Sequence, residues 1–86
     1  MPEKHLAEWR PDAWADVTDV VCPATFAKAL AALEDLEKGQ ILEIRLNDGE
    51  AARNVPLSIK DEGHLVLKLS DNGDGTCTLL VRKLDD

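Results

Sequence analysis

The chain has 86 residues, room for one domain with a single modest core, and 44% hydrophobic with 31% charged residues and no long Gly, Ser, Pro or Gln tract describe an ordered globular unit. Seventeen acidic against ten basic side chains give a formal net charge of −7, which repels a phosphate backbone and argues against direct nucleic-acid binding. No apolar stretch is long enough to cross a bilayer, and the start, "MPEKHLAEWRPDAWAD", lacks the basic and apolar segments of a signal peptide, so no membrane contact and a cytoplasmic address are expected.

Residues 1–14 hold both tryptophans and Pro11 and fit neither a helix nor a strand, so they are expected to form an N-terminal arm ahead of a domain over residues 15–86. "ADVTDVV", residues 15–21, is rich in β-branched side chains and predicts the first strand. Pro23 suits the first turn of a helix, where its missing N–H has no partner to lose. Phe26, Leu30, Leu33 and Leu36 then recur at helical spacing, and Lys38-Gly39 supplies the stop.

"QILEIRLND" alternates, with Leu42, Ile44 and Leu46 on one face and Glu43 and Arg45 on the other, the period of a half-buried strand. "DGEAARNVPLSIKDEGH" predicts a second helix, from acidic Asp48 and Glu50 at its start to Gly63 at its end, with Pro56 expected to break or tighten it. "HLVLKLS" and "TCTLLVRK" flank the hairpin signal "DNGDG". The order β-α-β-α-β-β predicts an α+β fold: a two-layer α/β sandwich, a four-stranded mixed sheet with two helices on one face. The uncovered face is expected to carry Glu43, Arg45, Lys68 and Arg82 together with Ile41, Val66 and Leu80.

Two cysteines 55 positions apart show no disulfide framework, and free thiols are expected. Cys22 falls at the predicted N-cap of the first helix, where unpaired N–H groups and the helix dipole favour a thiolate that attacks sulfur or carbon electrophiles. On spacing alone an inert, buried cysteine fits as well. Cys77 is in register with Leu79 and Val81 and reads as a packed strand residue rather than a resolving thiol. His5 and His64 have no short-spaced partner, so no metal site is expected, and no motif calls for a cofactor.

"DVTDVVCPATFAKALAALEDLEKGQ", followed by "LEKGQILEIRLND" and "NVPLSIKDEGH", resembles the TusA/SirA family of small sulfur carriers over roughly residues 15–83. That family opens with a strand, an acidic residue and a Cys-Pro-x-Pro motif at the start of its first helix. The resemblance implies that Cys22 receives a sulfane sulfur as a persulfide from a cysteine desulfurase or a rhodanese-like donor. It would pass that sulfur to an acceptor protein, in tRNA thiolation, cofactor biosynthesis or sulfur oxidation. Two positions depart from the motif: its second proline is Thr25 here, and the glycine often found before it is Asp19. Pro23 keeps the helix start, and Thr25 can tie a loose backbone group in the first turn, whereas Asp19 would raise the thiol pKa if its carboxylate pointed toward it. These departures also admit a different class of function, a non-catalytic interaction or regulatory module on the same fold. Leu6, Trp9 and Trp14 would leave a large apolar area in water, so the arm is expected to fold back on the sheet or to join two copies.

Overall fold

The computed structural model describes residues 10–21 and 24–84. Its elements are β1 (Ala13–Asp16), α1 (Ala24–Glu34), β2 (Ile41–Asn47), α2 (Glu50–Asp61), β3 (Leu65–Asp71) and β4 (Thr76–Arg82). The strands form one sheet in the order β1-β2-β4-β3; β1 runs parallel to β2, and β4 is antiparallel to both its neighbours. Both helices lie on one face, giving the expected two-layer α+β sandwich. Among the described residues, no helix is long and apolar enough to cross a membrane.

The core follows the strand period. Leu42, Ile44 and Leu46 of β2 and Cys77, Leu79 and Val81 of β4 are buried and face the helices, which close over them with Ala29 and Leu33 of α1 and Ala52, Val55 and Ile59 of α2. The stripe on α1 is rotated from the expected one. Thr25, Ala29 and Leu33 form its buried line, while Phe26 and Leu36 pack at its margins and Leu30 is only half-buried. Small Ala29, fully buried, lets the helix approach the sheet closely.

Three boundaries depart from the sequence reading. The first strand is Ala13–Asp16 rather than 15–21, so Ala13 and Trp14 belong to the sheet and not to an arm. The chain leaves the strand at Asp16 because its Oδ1 accepts the Thr18 N–H at 2.9 Å, an Asx turn that overrides the β-branched composition of the following residues. Residues 1–9, with His5, Leu6 and Trp9, lie outside the described residues. The first helix ends at Glu34, four residues before Lys38, and the link to β2 turns through Gly39 at φ 92°.

The second helix is unbroken from Glu50 to Asp61 with Pro56 inside it. Proline removes the hydrogen bond to the Ala52 carbonyl, but Ala52, Val55 and Ile59, buried on both sides of it, hold the helix to the sheet. Val66 faces the helices rather than the open side. A register shift between Val66 and Lys68 makes Leu67 a bulge, which reverses the alternation, so Leu65 and Lys68 both take the outer face.

Cys77 is 4% exposed. Burial pushes its thiol above the ordinary 9.0, and the carboxylates of Asp48, Asp71 and Asp74 push it further. At neutral pH this thiol is expected to resist alkylation until the protein unfolds. The same shift has a stability consequence of definite sign. The unfolded chain releases the thiol proton before the folded one does, so stability falls as pH rises above about 9. Urea titrations at increasing alkaline pH are expected to show a steeper fall for the wild type than for Cys77→Ala; parallel curves would remove this assignment.

Candidate functional site

Two helix starts open at one end of the sheet. The loop after β1 brings Val20 and Val21 to the start of α1, and β2 ends at Asn47 and Asp48 just before the start of α2. Together with Thr25, Glu50 and Ala51 these residues line an open cleft. Its floor and lip are apolar, with Val21 at 78% exposure, and its rim carries two carboxylates. Both helix dipoles present their positive ends here, and the first turn of α2 contributes N–H groups without intrahelical partners.

The backbone beside the cleft is held by five bonds from side chains or turns. Thr25 is 1% exposed; its hydroxyl donates to the Val20 carbonyl at 3.2 Å and its N–H to the Val21 carbonyl at 3.2 Å. Asn47 donates from Nδ2 to the Thr18 carbonyl at 2.9 Å, fastening the β1–α1 loop to the end of β2. The Asp48 N–H donates to the Gly75 carbonyl at 2.9 Å, bringing the β3–β4 turn to the same end. Asp48 Oδ1 accepts from the Gly49 N–H at 2.7 Å and lies 3.9 Å from the Cys77 sulfur. The sequence reading singled out neither Asn47 nor the cleft role of Asp48, because their partners are nearly thirty residues away.

Of the four residues singled out for chemistry, Cys22 and Pro23 lie outside the described residues. Thr25 is the buried tie just described. A proline in its place, as the family motif has it, could make neither of its two bonds, so the chain replaces a conformational lock with a hydrogen-bonded one. Thr25→Val keeps the shape and removes the hydroxyl bond, and is expected to cost about 1 kcal/mol in urea unfolding; an unchanged midpoint would mean that the bond contributes nothing. Asp19 forms an ion pair with Lys28 at 3.0 Å, both side chains largely exposed. Its charge is thus directed at a cation on the second turn of α1.

Among the described residues, no group of three or more His, Cys, Asp or Glu side chains is placed to hold a metal ion. His64 is buried and accepts the Leu84 N–H at Nδ1, a structural contact 3.2 Å long.

A family model for sulfurtransferase TusA matches residues 15–83. A protein of Archaeoglobus fulgidus, provisionally named a sulfur carrier protein, is 35% identical over 68 residues, which cover 79% of this chain and 77% of that one. The protein YedF of Escherichia coli, named in the same terms, is 32% identical over 73 residues, 85% of this chain and 94% of its own. In three dimensions a SirA-like protein from Desulfitobacterium hafniense superposes with a TM-score of 0.72 at 18% identity, covering 85% of this chain and 99% of that one, a likeness of fold. The class these comparisons define is a sulfur carrier of the TusA type. The chain belongs to the TusA sulfurtransferase family.

Proposed function

We propose that Cys22 is the sulfur-carrying residue, loaded as a persulfide by a cysteine desulfurase or a rhodanese-like donor and unloaded onto an acceptor protein. The supporting observation is the cleft: Val20, Val21 and Thr25, which bracket Cys22 in the chain, line it together with the first turns of both helices. A thiolate or a persulfide anion at a helix start is stabilised by the free N–H groups and by the dipole.

Loading needs no external oxidant or reductant. The Cys22 thiolate attacks the outer sulfur of the donor's persulfide, a new S–S bond forms on Cys22, and the donor's inner sulfur leaves as a thiolate with the electron pair of the broken bond. Delivery is the same exchange in reverse order, with the acceptor's thiolate as attacker. The acceptor serves tRNA thiolation, cofactor biosynthesis or sulfur oxidation, and a reducing compartment such as the cytoplasm keeps the thiol available. Contact with RNA runs through the thiolating partner, because a net charge of −7 opposes direct binding.

Asp19 and Thr25 fit this reading. The Lys28 ammonium offsets the Asp19 charge, and Thr25 preserves the geometry of the loop that the missing proline would have stiffened. Mass spectrometry after incubation with a cysteine desulfurase and cysteine tests it. One added sulfur mapping to the peptide that contains Cys22 is the expected result; an unmodified chain under conditions that load another family member would favour the non-catalytic module.

A further inference from the structure

The face of the sheet away from the helices carries a charge pattern with a direction. Strand register lines up three rows across it. The middle row is Trp14, Glu43, Leu80 and Lys68, one residue from each strand in spatial order. On one side lies the row Asp16, Arg45, Thr78, Ser70; on the other, Ile41, Arg82 and Leu65, reached from β1 by Asp12, whose N–H donates to the Ile41 carbonyl at 2.7 Å. Trp14 is 67% and Leu65 42% exposed, whereas Ile41, expected on the open face, is 5% exposed and already covered by the chain itself, so the open part of the face is its middle row and the β3 edge.

Arg45 lies 3.9 Å from Asp16 and 3.2 Å from Asp74 of the hairpin turn, so that cluster is satisfied within the chain. Among the described residues, Glu43, Lys68 and Arg82 make no ion pair. Setting the mutually paired Asp16 and Arg45 aside, the β1–β2 half holds Glu43 and, at its end, Asp12, whose Oδ2 accepts the Ile41 N–H at 2.9 Å, formally −2, and the β4–β3 half holds Lys68 and Arg82, formally +2. Among the described residues the face is neutral, in a chain of net charge −7.

We propose that this face is a contact between two copies of the chain, related by a twofold axis parallel to the strands. Such an axis lays β1 of one copy over β3 of the other and β2 over β4. The acidic, aromatic half of each copy then meets the basic half of its partner: the Trp14 ring faces the Lys68 ammonium, an arrangement that favours cation–π contact, and Glu43 meets Leu80 beside Arg82. The pattern is self-complementary, as an isologous interface requires. The cleft at the end of the sheet stays open in this dimer, and the contact stands or falls independently of the sulfur chemistry.

Sedimentation analysis of the full chain over a range of concentrations, with two charge-reversed variants, tests the contact. The wild type is expected to form a reversible dimer. Glu43→Lys alone, and Lys68→Glu combined with Arg82→Glu, are each expected to weaken it at least about tenfold by setting like charges against each other. An equimolar mixture of the two variants is expected to dimerise again, because each then meets the opposite charge in the other. A chain that stays monomeric at the highest concentrations, its face taken by its own residues 1–9 or by a different protein, overturns the proposal. So does a dimer that the reversals leave intact, or a mixture that fails to recover while both variants melt as the wild type does.

Discussion

Replacing Lys83 by glutamate is expected to remove a large share of the protein's stability. Lys83 follows β4, is 6% exposed, and its ammonium donates to the Leu36 carbonyl at 2.7 Å and to the Glu34 carbonyl at 3.3 Å. These are carbonyls at the C-terminal end of α1, where the helix dipole is negative and where α1 has no basic residue of its own in its last turn. The side chain cannot swing away, because the main chain of Lys83 is bonded on both sides, its N–H to the Gln40 carbonyl at 2.8 Å and its carbonyl from the Gly39 N–H at 2.7 Å. A carboxylate there would be a buried charge facing oxygens, a loss of about 3–5 kcal/mol against a typical total of about 5–15 kcal/mol. Lys83→Met, which keeps the stem and drops the charge, is expected to cost about 1–3 kcal/mol from the two carbonyls left without a donor. Urea unfolding of both variants checks the ranking; two midpoints near that of the wild type would show that the ammonium does not hold the helix end.

The largest functional effect is expected from Cys22→Ser. A serine hydroxyl can still accept a hydrogen bond at a helix start, so the fold should persist, but it cannot hold a sulfane sulfur, and loading should fall to background. Cys77→Ala is the control: its thiol is buried and pushed toward the protonated form, so removing it should leave loading intact. Loading that survives in Cys22→Ser and disappears in Cys77→Ala would transfer the chemistry to the strand cysteine and end the proposal.

The contrast between these residues shows what could be read from the chain. Leu42, Ile44 and Leu46, and Cys77, Leu79 and Val81, announced their strands because one buried face imposes a period of two, and all six are buried as that period demands. The fold class followed from those strands and the two helical stripes between them. What failed was set by partners distant in sequence or by a local bond stronger than a propensity. Valines and a threonine promised a strand through Val21, and the Asp16 side chain turned the chain aside first. Val66 looked outward until the bulge at Leu67 reversed it. Pro56, expected to break or tighten its helix, does not interrupt it, because tertiary packing outweighs one lost bond. Lys83 gave no local signal at all, since the carbonyls it serves lie nearly fifty residues earlier. For the site, the Cys-Pro step at positions 22 and 23 was visible at once, whereas the cleft needed Asn47, Asp48 and Ala51 from a different part of the chain.

The strand order also bears on how the chain acquires its shape during synthesis. β3 leaves the ribosome before β4, yet it is hydrogen-bonded to β4 and to no other strand, and β2 has only the four-residue β1 beside it until β4 arrives. A nascent chain ending before Thr76 therefore has a helix pair and two separated pieces of sheet, with Leu42, Ile44 and Leu46 facing half a core. Insertion of one central strand closes everything together, so partly made chains are the species most exposed to proteases and to one another.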